Sequence, residues 1–189
     1  ERCFTPKCAI ERKPYPPGRL ISEKKHRSSV TEYGTQMKEK QKVRNTYRVT
    51  EKQFSNYVKE ASGKRGANPA ENLFESLESR LDSAVFRAGF AGARSLSRQM
   101  VAHGHITVNG RRTTIPSRQL KVGDVLAIRA GSAGSKLFEG LGEKWKTATV
   151  PTWIKTDAGK LTAVFQGKPK VGQGESSFNL TSVIEFYSR

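Results

Sequence analysis

The chain has 189 residues, 35% of them hydrophobic, which suits one domain or two small ones around a modest core. Lys and Arg total 34 against 17 Asp and Glu, so the formal net charge is +17. A surplus of this size destabilises a compact monomer unless a polyanion neutralises it, and phosphate groups that release condensed counterions suit that role. No apolar run is long enough to span a bilayer, so the composition favours nucleic acid over a membrane as the partner.

Residues 1–20 are predicted to form an irregular arm, because the prolines of PYPPG at 14–18 favour extended or turn backbone. The arm holds both cysteines of the chain, Cys3 and Cys8. Two cysteines make no disulfide framework in a chain of this size, and they fit a reducing, cytosolic setting. A structural zinc site needs four ligands, so the residues alone leave open inert thiols or half of a zinc site.

A basic helix is predicted from about Ser28 to Tyr47. Its apolar stripe is thin, and the run 37–44 carries charges of nearly one sign. Like charges at helical spacing destabilise an isolated helix, which favours contact with phosphate over a solvated face. The candidate RNA contacts in this helix are Lys38, Lys40, Lys42 and Arg44.

Further helices are predicted up to residue 104. A capping box at 50–53 starts an amphipathic helix, and the Asn68-Pro69 pair starts another. The apolar spacing then continues toward Gly89, as one long helix or two abutting ones. A short helix at 93–103 is ended by Gly104 in the position after the helix cap.

After residue 104 the hydrophobic period changes to that of strands. Residues 105–115 are predicted to form a hairpin around Asn109-Gly110, a pair that favours a two-residue type I′ turn. Residues 125–129 are a further strand, and 130–135 a flexible connector. Strand-like pieces follow at 147–154, 160–165 and 182–187.

The helix 93–103 and the hairpin tip offer a convergent set of hydrogen-bond donors. Arg94 and Arg98 lie one turn apart, on the face nearly opposite Leu96 and Met100. A guanidinium group can donate to two phosphate oxygens at once in a fixed geometry. Residues 83 to 123 contain no Asp or Glu, whereas an ordinary solvated surface mixes charges of both signs. The candidate RNA contacts here are Arg80, Arg94, Arg98, Gln99, His103, His105, Asn109, Arg111 and Arg112.

One stretch, residues 80–129, resembles the S-four RNA-binding domain from end to end. The most specific matches are RLD at 80–82, ARSLSRQMV at 93–101, HGHITVNG at 103–110 and VGD at 122–124. Outside it, the chain resembles the bacterial small-subunit ribosomal protein family that carries this domain. Those matches lie at 32–61, 71–82, 151–161 and 184–189, so the resemblance covers nearly the whole chain.

The resemblance implies an α+β fold with an inserted module. Residues 1–20 are the arm, and residues 21–77 and 136–189 together form a helical domain. Residues 78–135 are the S-four module, built from helices and a small antiparallel sheet.

The resemblance also implies a function: a non-enzymatic structural constituent of the small subunit, in the cytoplasmic ribosome. It implies binding to a multi-helix junction in the 5′ domain of small-subunit rRNA, nucleation of assembly, and a place near the channel through which mRNA enters. The expected partners are small-subunit rRNA, neighbouring small-subunit ribosomal proteins and mRNA, with no membrane. In some members a CxxC pair upstream joins a matching cysteine pair, which implies one zinc ion held by Cys3, Cys8 and two ligands before Glu1.

Two other functional classes are weighed against this one. An enzyme that carries the S-four module, such as an RNA modifier, would share the RLD triplet at 80–82, which superficially matches the catalytic motif of pseudouridine synthases. The chain shows no catalytic domain, phosphate-binding glycine loop or nucleophile elbow to support that class. A regulatory RNA binder acting off the ribosome is the other alternative.

Overall fold

The computed structural model describes residues 8–15, 29–64, 68–147, 149–171 and 178–188. It divides into two compact units, residues 1–31 and residues 32–189. In the first unit, the described part of the predicted irregular arm includes a short helix, α1 (Ala9–Arg12). Residues 1–7 and 16–20 of the arm, including Cys3, lie outside the described residues.

The second unit begins with helices that the sequence signals locate well. They are α2 (Glu32–Tyr47), α3 (Glu51–Gly63), α4 (Pro69–Glu78), α5 (Leu81–Arg87) and α6 (Arg94–Ala102). The predicted capping box of α3 is confirmed, because the Thr50 side chain accepts from the Gln53 backbone N–H and the Gln53 side chain accepts from the Thr50 N–H. Asn68 caps α4, with Pro69 in its first turn, as predicted.

The stretch from residue 69 to Gly89 is two helices, which decides between the two alternatives. Ser79 and Arg80 interrupt it, and Arg80 forms an isolated antiparallel bridge with Gln119. The neighbouring residues are also hydrogen-bonded, since the Leu81 N–H donates to the Arg118 carbonyl at 2.8 Å. The break therefore has a tertiary cause.

The sheet has five antiparallel strands in the order β2-β1-β3-β5-β4. The strands are β1 (Ile106–Val108), β2 (Arg111–Arg112), β3 (Val125–Ile128), β4 (Ile154–Asp157) and β5 (Thr162–Phe165). Asn109 and Gly110 join β1 to β2 with φ of 52° and 76°, as the predicted type I′ turn requires. Thr107 pairs with Arg112 across this hairpin, and Leu126 pairs with Ala163 between β3 and β5. The sheet thus runs across the boundary expected at 135.

Three predictions for the C-terminal part are wrong. Residues 182–187 are not a strand but belong to helix α8 (Leu180–Tyr187), whose N-cap Asn179 accepts from the Ser182 N–H. Within 147–154, only Ile154 is in a strand, and α7 (Leu141–Thr147) precedes it. The segment 130–135 is not a loose connector, since it contains a 3-10 turn with Ser132 buried.

The core of residues 32–189 is one cluster of buried apolar side chains. Helix α8 packs against α2, α3 and α4, so the described part of the C-terminal tail lies against the N-terminal helices. The β4–β5 ribbon comes from the same predicted segment, yet it completes the sheet begun by β1, β2 and β3. In the described residues, no helix combines the length and apolar character needed to cross a membrane.

Candidate nucleic-acid interface

An exposed basic strip follows the C-terminal half of α6 and the adjoining strand β2. We call it the α6 strip, and its residues are Arg98, Gln99, His103, Arg111 and Arg112. All are exposed except Arg98, whose side chain is 38% exposed. The strip offers guanidinium, amide and imidazole donors on one connected stretch of chain, the chemistry that phosphate and ribose oxygens accept.

Gly104 allows this strip to form. It lies after α6 with a φ of 72°, and its N–H closes the helix end on the Val101 carbonyl at 2.8 Å. A Cβ at this position would lie 2.3 Å from Arg112 Nε. The missing side chain leaves room for Arg112, which crosses the end of α6 and donates to the His103 carbonyl at 3.3 Å.

Arg98 connects the strip to the corner between α2 and α3. Its Nη1 donates to the Arg48 carbonyl at 2.9 Å and lies 3.9 Å from Asp82 Oδ2. Arg98 is therefore held in place while part of its guanidinium still faces solvent.

Two candidates near the strip serve the fold through their polar atoms. His105 is half-buried, with Nδ1 2.9 Å from Ser132 Oγ. Asn109 donates to Asp124 Oδ1 at 2.7 Å and accepts from the Val125 N–H at 2.8 Å, which ties the hairpin tip to the start of β3. Asn109 remains exposed, so its position is compatible with RNA contact.

Arg94 does not lie on the exposed face, which corrects the sequence interpretation. Its side chain is only 10% exposed, and its Nη2 donates to Glu78 Oε1 at 3.2 Å. Its guanidinium also lies 4.5 Å from the Tyr47 ring centroid and 4.6 Å from that of Phe86. These contacts hold Arg94 inside the fold, because releasing it would leave the buried Glu78 charge less compensated.

Glu78 is the centre of this buried polar cluster. It is fully buried and also accepts from Arg87, at 3.0 and 2.8 Å, and from the Tyr47 hydroxyl at 2.7 Å. Burial alone would raise the pKa of Glu78, but the Arg87 hydrogen bond and the charges of Arg94 and Arg87 hold this pKa below its ordinary value. Burial and the neighbouring Glu78 charge raise the pKa of Tyr47 well above its ordinary value. The ionised cluster joins α2, α4, α5 and α6.

Arg80, also predicted as an RNA contact, is buried as well, with only 1% of the residue exposed. Its Nε and Nη2 donate to the two carboxylate oxygens of Asp82 at 3.0 and 2.7 Å, and its Nη1 donates to the Tyr57 hydroxyl at 2.8 Å. Burial works against the charged form, but the bond to Asp82 and the Asp82 charge raise the pKa of Arg80 further. The RLD triplet at 80–82 is therefore a buried ion pair at the start of α5, with a structural role.

The basic run of α2 divides into buried and exposed members. Lys40 is 7% exposed, its Nζ lies 2.7 Å from Glu51 Oε1, and it sits 4.8 Å from the Phe186 ring centroid. Lys40 thus ties α2 to α3 and α8, and its ammonium group is engaged inside the fold. Arg44 is part-buried, with Nη1 3.4 Å from Glu51 Oε2. Lys38 and Lys42 are exposed on this helix.

Two exposed arginines beside the α6 strip, Arg48 and Arg118, were not predicted as RNA contacts. Arg118 lies before the bridge to Arg80, and its Nη1 donates to Thr113 Oγ1 at 3.2 Å. The absence of acids from 83 to 123 was the signal that could have identified it. Arg48 follows α2 and is exposed, but its place beside Arg98 depends on a contact between residues 50 positions apart.

Comparison with known proteins gives matches along the chain. Residues 1–78 match the family described as Ribosomal protein S4/S9 N-terminal domain, and residues 79–126 match the S4 domain. The small ribosomal subunit protein uS4 of Syntrophomonas wolfei is 40% identical over 189 residues, which are 100% of this chain and 89% of that protein. The uS4 proteins of Heliobacterium modesticaldum and Thermus thermophilus are 41% and 42% identical, again over 100% of this chain and 89% of each relative.

The chain belongs to the uS4 family of small ribosomal subunit proteins. This confirms the resemblance and the α+β fold with its S4 module. Membership makes the chain a structural ribosomal protein that binds small-subunit rRNA in the cytoplasmic ribosome, with neighbouring ribosomal proteins as partners, and not an enzyme. Among the described residues of this uS4 chain, the α6 strip is an exposed basic surface whose donors match phosphate and ribose acceptors.

Cys8 is buried and directly precedes α1. Cys3, the other candidate ligand, lies outside the described residues. Among the residues that the structure describes, no group of three or more His, Cys, Asp or Glu side chains is placed to hold a metal ion.

Proposed function

We propose that this uS4 protein binds a multi-helix junction in the 5′ domain of small-subunit rRNA, mainly through the α6 strip. The observation that supports this most strongly is the strip itself: exposed donors of one sign in a segment without acids from 83 to 123. Double-helical RNA hides its base edges in a deep, narrow groove, so a surface of this kind recognises shape and backbone. Helices that meet at a junction present phosphates along several directions, which suits donors carried by both a helix and a hairpin.

The strip is carried on a rigid support. Buried ion pairs fix both ends of α5 and the start of α6, through Glu78 with Arg87 and Arg94 and through Asp82 with Arg80. A rigid support places the cations before RNA arrives, so less conformational entropy is lost on binding. Donors fixed in place before binding suit a protein that recognises one particular RNA conformation.

The test compares binding to the junction RNA with binding to a straight duplex of equal length. Arg98→Ala combined with Arg112→Ala is expected to weaken junction binding by at least about 100-fold, because each lost contact to a charged group is worth roughly 1.5–3 kcal/mol. Lys160→Ala, which removes an exposed cation from the β4–β5 turn, is the matched control. Equal binding of the wild-type protein to junction and duplex would overturn the proposal.

We also propose that the protein nucleates assembly of the small subunit. A protein that fixes the relative directions of several RNA helices lowers the cost of every later contact that needs the same arrangement. Reconstitution of the subunit should then show later 5′-domain proteins binding more slowly when this protein is omitted or added last. Unchanged rates in both cases would contradict this role.

The placement near the channel through which mRNA enters is a further proposal, supported by the family resemblance and by exposed cations beyond one RNA site. Crosslinking from a photoreactive mRNA bound to complete subunits tests it. Crosslinks to other proteins but none to this one would contradict the placement.

Zinc binding is proposed for the N-terminal arm, with Cys3 and Cys8 as two of four thiolate or imidazole ligands. The fold supplies a buried sulfur at Cys8, in a segment with few apolar residues to order it. Zinc bound there would order the N-terminal arm. Metal analysis of the full natural chain tests this, with Cys8→Ser as the control, and a zinc content unchanged by that substitution would exclude the site.

A further inference from the structure

Helix α2 ends in an unusual way. The Arg48 N–H donates to the Asn45 carbonyl and the Val49 N–H to the Arg44 carbonyl, both at 3.3 Å. These two bonds define a Schellman motif with Arg48 in the left-handed position, at a φ of 52°. An L-residue with a side chain is strained there, and glycine is the usual occupant.

Two other helices of the same chain end in this motif with glycine. Gly89 follows α5 with a φ of 78°, and Gly104 follows α6 with a φ of 72°. Helix α2 therefore carries a long cationic side chain where the same backbone geometry takes glycine twice elsewhere. Backbone strain that persists at one residue is a reason to look for a function of its side chain.

The surroundings of Arg48 indicate what that function is. Its carbonyl accepts from Arg98 Nη1 at 2.9 Å, so the Arg98 guanidinium lies directly beside the point where the Arg48 side chain leaves the backbone. Both side chains reach solvent. Two cationic side chains that leave the fold this close together repel one another, and an anion bound between them would relieve that repulsion.

The nearby acids are already engaged by other groups. Asp82 Oδ2 lies 3.9 Å from Arg98 Nη1, but the Asp82 carboxylate accepts two bonds from Arg80 and one from the Ser83 N–H. Glu51 binds Lys40 and Arg44, and it also accepts from a tyrosine hydroxyl of α8. Positive charge therefore remains at this corner of the fold.

We propose that Arg48 and Arg98 form a two-guanidinium clamp for one backbone phosphate of the rRNA. The clamp extends the α6 strip onto the corner between α2 and α3, and it rests on the proposed junction binding. The strain at Arg48 persists because the left-handed residue aims a cation at the same phosphate as Arg98. Arg48 is thus a binding residue that belongs to the helical part of the chain, outside the S4 module.

The test is the substitution Arg48→Gly, which separates two effects of opposite sign. Glycine removes the strain, so the melting temperature of the free protein should stay level or rise, by about 2–4 °C if the full strain is released. The same change removes the clamp, so affinity for junction RNA should fall by about tenfold, the loss of one charge-assisted hydrogen bond. The slope of log affinity against log salt should become shallower by less than the roughly 0.7–0.9 of a full phosphate contact, because Arg98 still holds the shared phosphate.

Three further variants sharpen the result. Arg48→Asn also tolerates the left-handed conformation without the charge, so it should repeat the loss of affinity. Arg48→Gly combined with Arg98→Ala should lose less than the product of the single losses, because the two residues share one phosphate. Lys160→Gln removes an exposed cation from the β4–β5 turn and should leave affinity nearly unchanged.

Each result decides for or against the clamp. Arg48→Gly that binds RNA as tightly as wild type and keeps the salt slope would overturn it, and Arg48 would then be only a tolerated helix end. Equal losses for Arg48→Gly and Lys160→Gln would also overturn it, since the effect would be general charge. Wild-type protein that shows no preference for junction RNA would instead refute the proposed function, before any variant is compared.

Discussion

Burial separates arginines that the sequence pattern treats alike. Arg94 and Arg98 lie one turn apart on α6, and helical spacing alone places them on one face. Yet Arg94 is 10% exposed and bound to Glu78, whereas Arg98 is 38% exposed. The acid that captures Arg94 is 16 residues earlier and on another helix. Periodicity carries no information on such a partner, so the sequence could predict a basic segment but not which of its cations face RNA.

Arg94→Ala should therefore destabilise the fold. It removes one partner of the fully buried Glu78 carboxylate and two cation–π contacts, and Arg87 is left to compensate only part of the Glu78 charge. The free energy of unfolding should therefore fall by about 2–4 kcal/mol. Arg98→Ala is the matched control one turn away, expected to cost about 1 kcal/mol or less. Urea denaturation of both variants measures the difference, and equal stabilities would contradict the buried role of Arg94.

The buried Glu78 carboxylate should make stability depend on pH in the acid range. Its pKa is lowered in the folded state, so the unfolded chain binds the proton more tightly and the free energy of unfolding rises with pH. This stabilisation is complete above the ordinary Glu pKa of about 4.3, and it is lost as the pH falls through the lower folded value.

Glu78→Gln should flatten this acid dependence. The part that remains includes Glu51, whose pKa is also lowered: partial burial opposes the shift, but the hydrogen bonds from Lys40 and Tyr187 outweigh it. Denaturation across the acid range measures the slope. If the variant does not fold, a carbon-13 titration of the Glu78 carboxyl in the wild type gives the same answer. A Glu78 pKa at or above the ordinary value would contradict the prediction.

At the scale of elements, local signals succeeded where a cap or turn has its own chemistry. The capping box at 50–53, the Asn68-Pro69 start and the Asn109-Gly110 turn all lie where they were predicted. Helix α8 was mistaken for a strand because SVIEFY is rich in β-branched and aromatic residues. Its buried side chains nevertheless follow helical spacing from Leu180 to Val183, and its packing against α2 and α4 overrides the local propensity.

The same capping chemistry gives a prediction for α3. Thr50→Ala removes the acceptor for the Gln53 N–H, so the free energy of unfolding should fall by about 1 kcal/mol. Thr50→Ser keeps the hydroxyl and should retain most of the stability. Thermal unfolding of the two variants makes the comparison, and an equal loss in both would show that the Thr50 methyl group matters more than the cap.

Across the whole molecule, the Lys and Arg side chains behind the net charge of +17 fall into two groups, one inside the fold and one on its surface. Lys40, Arg80 and Arg94 serve internal ion pairs and were wrongly assigned to RNA, whereas Arg48 and Arg118 join the exposed set. The sequence could predict that the partner is negatively charged, and it could predict the family. It could not predict this division, because a cation is internal only when the fold brings an acid to it.

This division changes the expected salt dependence of RNA binding. Ten neutralised phosphates would give a slope of log affinity against log salt of about −7 to −9, roughly 0.7–0.9 for each contact. Nine Lys and Arg residues were candidates from the sequence; with the three internal cations excluded and the two further arginines included, eight cations remain. Because Arg48 and Arg98 share one phosphate in the proposed clamp, these cations neutralise about seven phosphates and the slope should be about −5 to −6. The contributing cations are Lys38, Lys42, Arg44, Arg48, Arg98, Arg111, Arg112 and Arg118.

A pair of variants checks which cations contribute to that slope. Arg98→Ala should make it shallower by up to roughly 0.7–0.9, whereas Lys40→Met should leave it unchanged at temperatures where the variant is folded, because Lys40 is already neutralised by Glu51. Fluorescence anisotropy with labelled junction RNA over a salt series measures both. A slope near zero for the wild type would mean that apolar or base contacts dominate. An equal change for Lys40→Met and Arg98→Ala would mean that total charge, rather than the exposed α6 strip, sets the affinity.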